Sequence, residues 1–173
     1  MVASLPLVLF PFCLIAAALS DARRFIIPNE LCAALVVGFG FAAFLVGMDL
    51  ATLGNHVLTA AVVLAIGFGL FCINVFGAGD GKLLAAIALW FGWPSFLSCI
   101  VMVAMFGGIL SLGICYARAF TRRFPSISAR FKPMATLAAT ETLKCPYGIA
   151  ICIGTLLTFR NSPIYEALIA QIL

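Results

Sequence analysis

Apolar residues run along this chain in blocks far longer than a strand, and the short breaks between them hold most of its charge. A helix that crosses a bilayer needs about 20 mostly apolar residues, within a range of about 17–25. Segments of that kind lie near residues 3–20, 31–48, 57–76, 95–117 and 146–160. A shorter run, Leu83 to Trp93, reaches a usable length if its helix starts at Asp80. The pattern predicts an all-α, polytopic membrane protein with about six transmembrane helices, forming a single domain over residues 1–173. The tail after Asn161, broken by Pro163, is too short to span and is expected at the membrane interface.

Composition excludes the soluble alternative. The chain is 65% hydrophobic and 9% charged, with a mean hydropathy of +1.23, whereas soluble domains carry roughly 45–50% apolar and about 25% charged residues. The basic residues then set an orientation, because cytoplasmic loops collect Lys and Arg. With the N-terminus outside, Arg23, Arg24, Lys82, Arg118, Arg122, Arg123, Arg130, Lys132 and Lys144 fall inside and only Arg160 outside. Five spans would put the last loop on the wrong face. The first run has no basic n-region, and Arg23 and Arg24 come after it, so a retained helix is expected rather than a cleaved signal peptide. The net charge of +4 therefore encodes topology in an inner membrane and needs no nucleic-acid partner. The basic loop over about 118–145 is expected to lie on anionic headgroups, each basic residue adding about 1 kcal/mol.

Most of the seven cysteines sit singly in apolar runs with no CxxC pair, which is how small hydrophobes are placed rather than metal ligands. No metal and no cofactor is expected. His56 is read as a solvated residue of an outside loop, and Trp90 and Trp93 as an interfacial aromatic belt. Gly107, Gly108 and Gly113 are read as helix-packing positions. Asn74 is expected either to hydrogen-bond across helices or to support Asp80, further along the chain.

Ionisable groups beside a span are costly to keep, so each is a candidate functional residue. Asp49, Glu141 and Glu166 fall in or near loops, and Asn29 with Glu30 suits a helix start, Asn29 as cap. Asp21 and Asp80 remain, and the basic residues alone place both at the cytoplasmic boundary. Two carboxylates within hydrogen-bond reach cannot both ionise easily; one holds a proton while the other activates water. That is aspartic-peptidase chemistry. Gly77, Gly79 and Gly81 around Asp80 are expected to permit unusual backbone conformations and close approach of a substrate strand. A tight turn with Asp80 as helix cap is the plain structural alternative, and a dinucleotide or P-loop reading fails because no strand precedes the glycines.

At these residues the sequence resembles the type IV prepilin peptidase family. Asp21-Ala22-Arg23-Arg24-Phe25-Ile26-Ile27-Pro28-Asn29-Glu30-Leu31 looks like its D-x-R-x-x-x-I-P-N-x-L block, and Gly77-Ala78-Gly79-Asp80-Gly81-Lys82-Leu83-Leu84-Ala85-Ala86 like its G-x-G-D-x-K-L-L-A-A block. Pro146-Tyr147-Gly148-Ile149-Ala150 is a weaker match. The resemblance implies that Asp21 and Asp80 are catalytic and that Arg23, Pro28, Asn29 and Lys82 shape the site, Pro28 and Asn29 in the turn, Arg23 and Lys82 as electrostatic or headgroup contacts. It implies prepilin or pseudopilin substrates, each a short basic leader before an apolar helix, cut where the two meet. About ten residues separate the first two spans, where longer members carry a cysteine-paired region, so N-methylation is not expected and the compact form looks like the Flp tight-adherence branch. Presenilin-like proteases share only the GxGD element. A small proton-coupled transporter using both aspartates, or a non-catalytic pilus-assembly subunit, are the alternatives, and a homo-oligomer is left open.

Overall fold

A computed structural model describes residues 4–123 and 146–172. Every element among the described residues is helical: α1 (Ser4–Arg24), α2 (Asn29–Leu45), α3 (Leu50–Cys72), α4 (Ala78–Phe91), α5 (Ser95–Arg123), α6 (Tyr147–Thr158), a 3₁₀ turn (Phe159–Asn161) and α7 (Pro163–Ala170). All six expected apolar segments thus recur as helices. α1, α3 and Ser95–Thr121 of α5 are long and apolar enough to cross a membrane, and α2 is a shorter apolar helix. α4 and α6, with 14 and 12 residues, reach only about 21 and 18 Å at 1.5 Å per residue.

α4 is the centre of the bundle. Every residue from Leu83 to Ala88 is buried, and α2, α3, α6 and α7 all pack on it. α5 pairs chiefly with α6, and α1 bridges α2 and α6. At one end of α4 the rings of Phe10 and Phe159 stack at 4.2 Å, with Trp90 4.7 Å from Phe10. In lipid such packing and interhelical hydrogen bonds hold helices together, because the solvent is as apolar as the side chains. The tail is drawn into this end: Ile164 and Leu168 of α7 are fully buried, and the Ser162 hydroxyl donates to the Trp90 carbonyl.

Several expectations are corrected. Trp90 is not part of an aromatic belt: it is fully buried, and its Nε1 donates to the Leu35 carbonyl at 3.0 Å, while Trp93 is 53% exposed. His56 is not in a loop. Asp49 accepts from the Ala51 and Thr52 N–H groups and so starts α3 at Leu50, seven residues earlier than the apolar run suggests. That puts His56 nearly two turns inside the helix, buried, with Nδ1 2.6 Å from the Leu89 carbonyl. Gly92, at φ 61°, leaves room for the ring; a β-carbon there would lie 2.9 Å from Nε2. The basic loop does not begin at 118: α5 continues to Arg123, through residues with no helix breaker, and the segment 124–145 lies outside the described residues.

Gly107 packs as expected, its missing side chain occupied by the Tyr147 ring, whereas Gly108 and Gly113 face open space. Gly154 permits a closer α5–α6 contact that spacing did not reveal, since a β-carbon there would lie 2.6 Å from the Val103 nitrogen. The six cysteines among the described residues are free thiols.

Candidate active site

Asp21 sits in the last turn of α1, and the residues just after it fix where that helix ends. Phe25 adopts φ 54° and its N–H bonds the Asp21 carbonyl at 2.8 Å, which closes the helix. Ser20 Oγ then donates to the Ile26 carbonyl at 2.7 Å and turns the chain back toward α2. Asp21 itself is 6% exposed. Its Oδ2 accepts the Gly148 N–H at 2.7 Å, so the carboxylate caps the N-terminus of α6, where unpaired N–H groups favour an anion.

Asp80 sits in the first turn of α4, and Gly77 is the cap. The helix therefore starts two residues before the expected Asp80, and Asp80 is not its cap. Asp21 and Asp80 lie close enough for their charges to interact. Both line one polar cavity of about 370 Å³, with Phe25, Ile26, Ile27 and Asn29 on one side and Gly77, Ala78, Gly79 and Lys82 on the other. Of the other expected site residues, Arg23, Pro28 and Gly81 do not line it. Arg23 is exposed in the last turn of α1, where a cation complements the helix dipole.

Asn29 was expected to cap α2. Pro28 takes the cap position and no side chain bonds there; the Asn29 side-chain amide oxygen, Oδ1, instead accepts from Lys82 Nζ at 3.1 Å, tying α2 to α4 beside Asp80. The glycines also work differently from expectation. None of Gly77, Gly79 and Gly81 has a positive φ. They supply room instead: a β-carbon at Gly77 would lie 2.6 Å from Asp80 Oδ2, and one at Gly79 3.3 Å from the Ile27 β-carbon. Asn74 makes neither expected contact among the described residues; at φ 58° it closes α3, its N–H bonding the Phe71 carbonyl.

The residue that site reasoning passed over is Gly148. Its only signal was the weaker Pro146-Tyr147-Gly148 match, yet a β-carbon there would lie 2.9 Å from both Cβ and Oδ2 of Asp21. Among the described residues no group of three or more His, Cys, Asp or Glu side chains stands ready for a metal.

The model of the type IV leader peptidase family matches residues 8–112, which include α1 from Val8, all of α2 to α4 and most of α5. No curated protein and no solved structure matches the chain.

Proposed function

The chain belongs to the type IV leader peptidase family, and from that premise we propose that it is an aspartic endopeptidase that removes short basic leaders from type IV or Flp-like prepilins and pseudopilins. The observation that carries the reading is the one polar cavity that Asp21 and Asp80 share, each on a different helix, with the Asp21 carboxylate accepting a backbone N–H. In the proposed reaction one carboxylate takes a proton from water, whose oxygen attacks the scissile carbonyl. The protonated partner hydrogen-bonds the carbonyl oxygen and the proton passes on to the leaving amine. Asn29, Gly77, Gly79 and Lys82 wall the reacting groups; Arg23, Pro28 and Gly81 act from outside the cavity, on the membrane surface, the turn and the α3–α4 contact.

In this reading six helices span an inner membrane with the N-terminus outside, and the aspartates face the cytoplasm. The short α4 and α6 fit this reading if both stop short of the membrane surface at the aspartates: α4 lines the cavity, and α6 reaches Asp21 through the Gly148 N–H. The enzyme cleaves without N-methylating the new terminus.

The test is co-expression of a short-leader prepilin with wild type, Asp21→Asn or Asp80→Asn, monitoring leader loss by gel shift and mass. Wild type alone should cleave, and the product mass should show no added methyl group. Cleavage by either equally expressed variant at the wild-type rate would overturn the two-aspartate mechanism.

A further inference from the structure

Between α2 and α3 the surface opens into a groove of about 470 Å³, floored by α4. Its walls are apolar and small along the middle, with Ala33 from α2, Ala60 and Ala61 from α3, and Ala85 and Ala86 from α4, and Leu64 of α3 is among the larger residues. One end differs in kind. Asn29, the first residue of α2, and Lys82, the fifth residue of α4, line it. An ammonium group has three donors, and the Asn29 bond uses one. From Lys82 the apolar wall continues along α4 to Leu89, roughly 10 Å at 1.5 Å per residue.

The volume falls in the usual range of ligand cavities, about 300–1,000 Å³. A cation at one end and a slot of small apolar residues behind it call for an amphiphile with an anionic head and a slender tail. A protein helix, about 10–12 Å across with side chains, meets neither demand, since an apolar one would strip water from the ammonium and offer no acceptor in return. The comparable groove between α3 and α5, about 360 Å³ over Gly81 and Leu84, has no charged residue in its lining and so nothing that names an occupant.

We propose that the α2–α3 groove binds one acyl chain of an anionic phospholipid, with its phosphate on Lys82 Nζ. Asn29 and Lys82 also line the aspartate cavity, so the bound headgroup forms part of the rim around Asp21 and Asp80. The inference needs only a bilayer around these helices and does not depend on which peptide, if any, is cleaved.

The experiment measures lipid binding to the purified full chain by native mass spectrometry and thermal shift. Phosphatidylglycerol and phosphatidylcholine with identical chains are compared, with inorganic phosphate as a third probe. Wild type should prefer phosphatidylglycerol by about five-fold, the worth of one basic residue near anionic headgroups. Lys82→Gln should erase that preference, and Ala61→Phe, which fills the slot, should weaken both lipids. Ala33→Leu, on the exposed wall, repeats the second arm if Ala61→Phe does not fold. Equal binding of the two lipids, or a preference that survives Lys82→Gln, overturns the proposal. Stabilisation by phosphate alone matching that by lipid overturns the acyl-chain half of it. Loss of a dimer in Ala61→Phe or Ala33→Leu with lipid binding unchanged would assign the groove to a second copy instead. Because the readout is binding, its failure is separate from any failure of the cleavage assay.

Discussion

Replacing Gly148 by alanine tests whether the α6 N-terminus sets the position of Asp21. The new methyl group would lie 2.9 Å from Asp21 Cβ and Oδ2 and 3.2 Å from Cγ, where ordinary contacts begin at 3.4 Å. Asp21 or the start of α6 must therefore move by about half an ångström. Two routes give the same magnitude. Misplacing a catalytic group by 1 Å costs about 10²-fold, so half of that costs about ten-fold or somewhat more. Stretching the 2.7 Å bond from the Gly148 N–H to the carboxylate forfeits part of the roughly 1.5–3 kcal/mol such a bond contributes, again about ten- to a hundred-fold. The expected result is a fall in kcat/KM of about 10–100-fold with normal accumulation in the membrane. Initial rates of leader removal well below KM report that ratio directly. Gly108→Ala, whose β-carbon meets nothing within 4 Å, is the control and should cleave like wild type. A Gly148→Ala enzyme within three-fold of that control would refute the argument that this contact positions Asp21.

Other expectations concern stability and topology. His56→Ala removes the partner of the Leu89 carbonyl and should lower stability by about 1–3 kcal/mol, read as an earlier thermal midpoint in detergent, with the cleavage rate of the folded fraction unchanged. Gly154→Ala forces α5 from α6, because its β-carbon would meet the Val103 backbone at 2.6–2.8 Å. Overpacking of that kind costs about 1–3 kcal/mol, and the same thermal assay should show it while Gly113→Ala shows no change. In a cysteine-free background, thiols placed at Phe25 and Val75 should react with a membrane-impermeant maleimide only from the cytoplasmic side, and thiols at Leu50 and Trp93 only from the other. Labelling of all four from one side would remove the six-span reading.

The sequence exposed the helices and the two aspartates for one reason. In a chain this apolar, a carboxylate at the end of a block stands out, and the positive-inside bias places it without any knowledge of packing. It did not expose partners. Nothing local to Gly148 indicates a bond to Asp21, 127 residues away, and nothing local to His56 indicates Leu89, 33 residues away. Burial of His56 and Trp90 was missed because both lie near the ends of apolar runs, where a polar-tipped ring can face either headgroups or a carbonyl on another helix. Asn29 shows the same limit at a cap: its local pattern allowed helix capping, while a lysine on α4 claimed the side chain. The glycines near Asp80 were found for their flexibility, yet the neighbours that require them, Ile27 and Gly67, are set by tertiary packing.

The meeting of α3 and α4 bears on how any mutational map of this protein must be read. A β-carbon at Gly67 would stand 3.1 Å from the Gly81 α-carbon, the residue next to Asp80. Position 67 lies deep in an apolar helix and does not line the aspartate cavity. A bulky side chain there nonetheless pushes on the backbone that carries the Asp80 carboxyl. In a screen scored by the proposed leader cleavage alone, residue 67 would group with Asp80, and a chemist reading that screen would look for a chemical role where the structure shows only a backbone contact. Only a parallel count of protein retained in the membrane separates positions that react from positions that merely let two backbones touch.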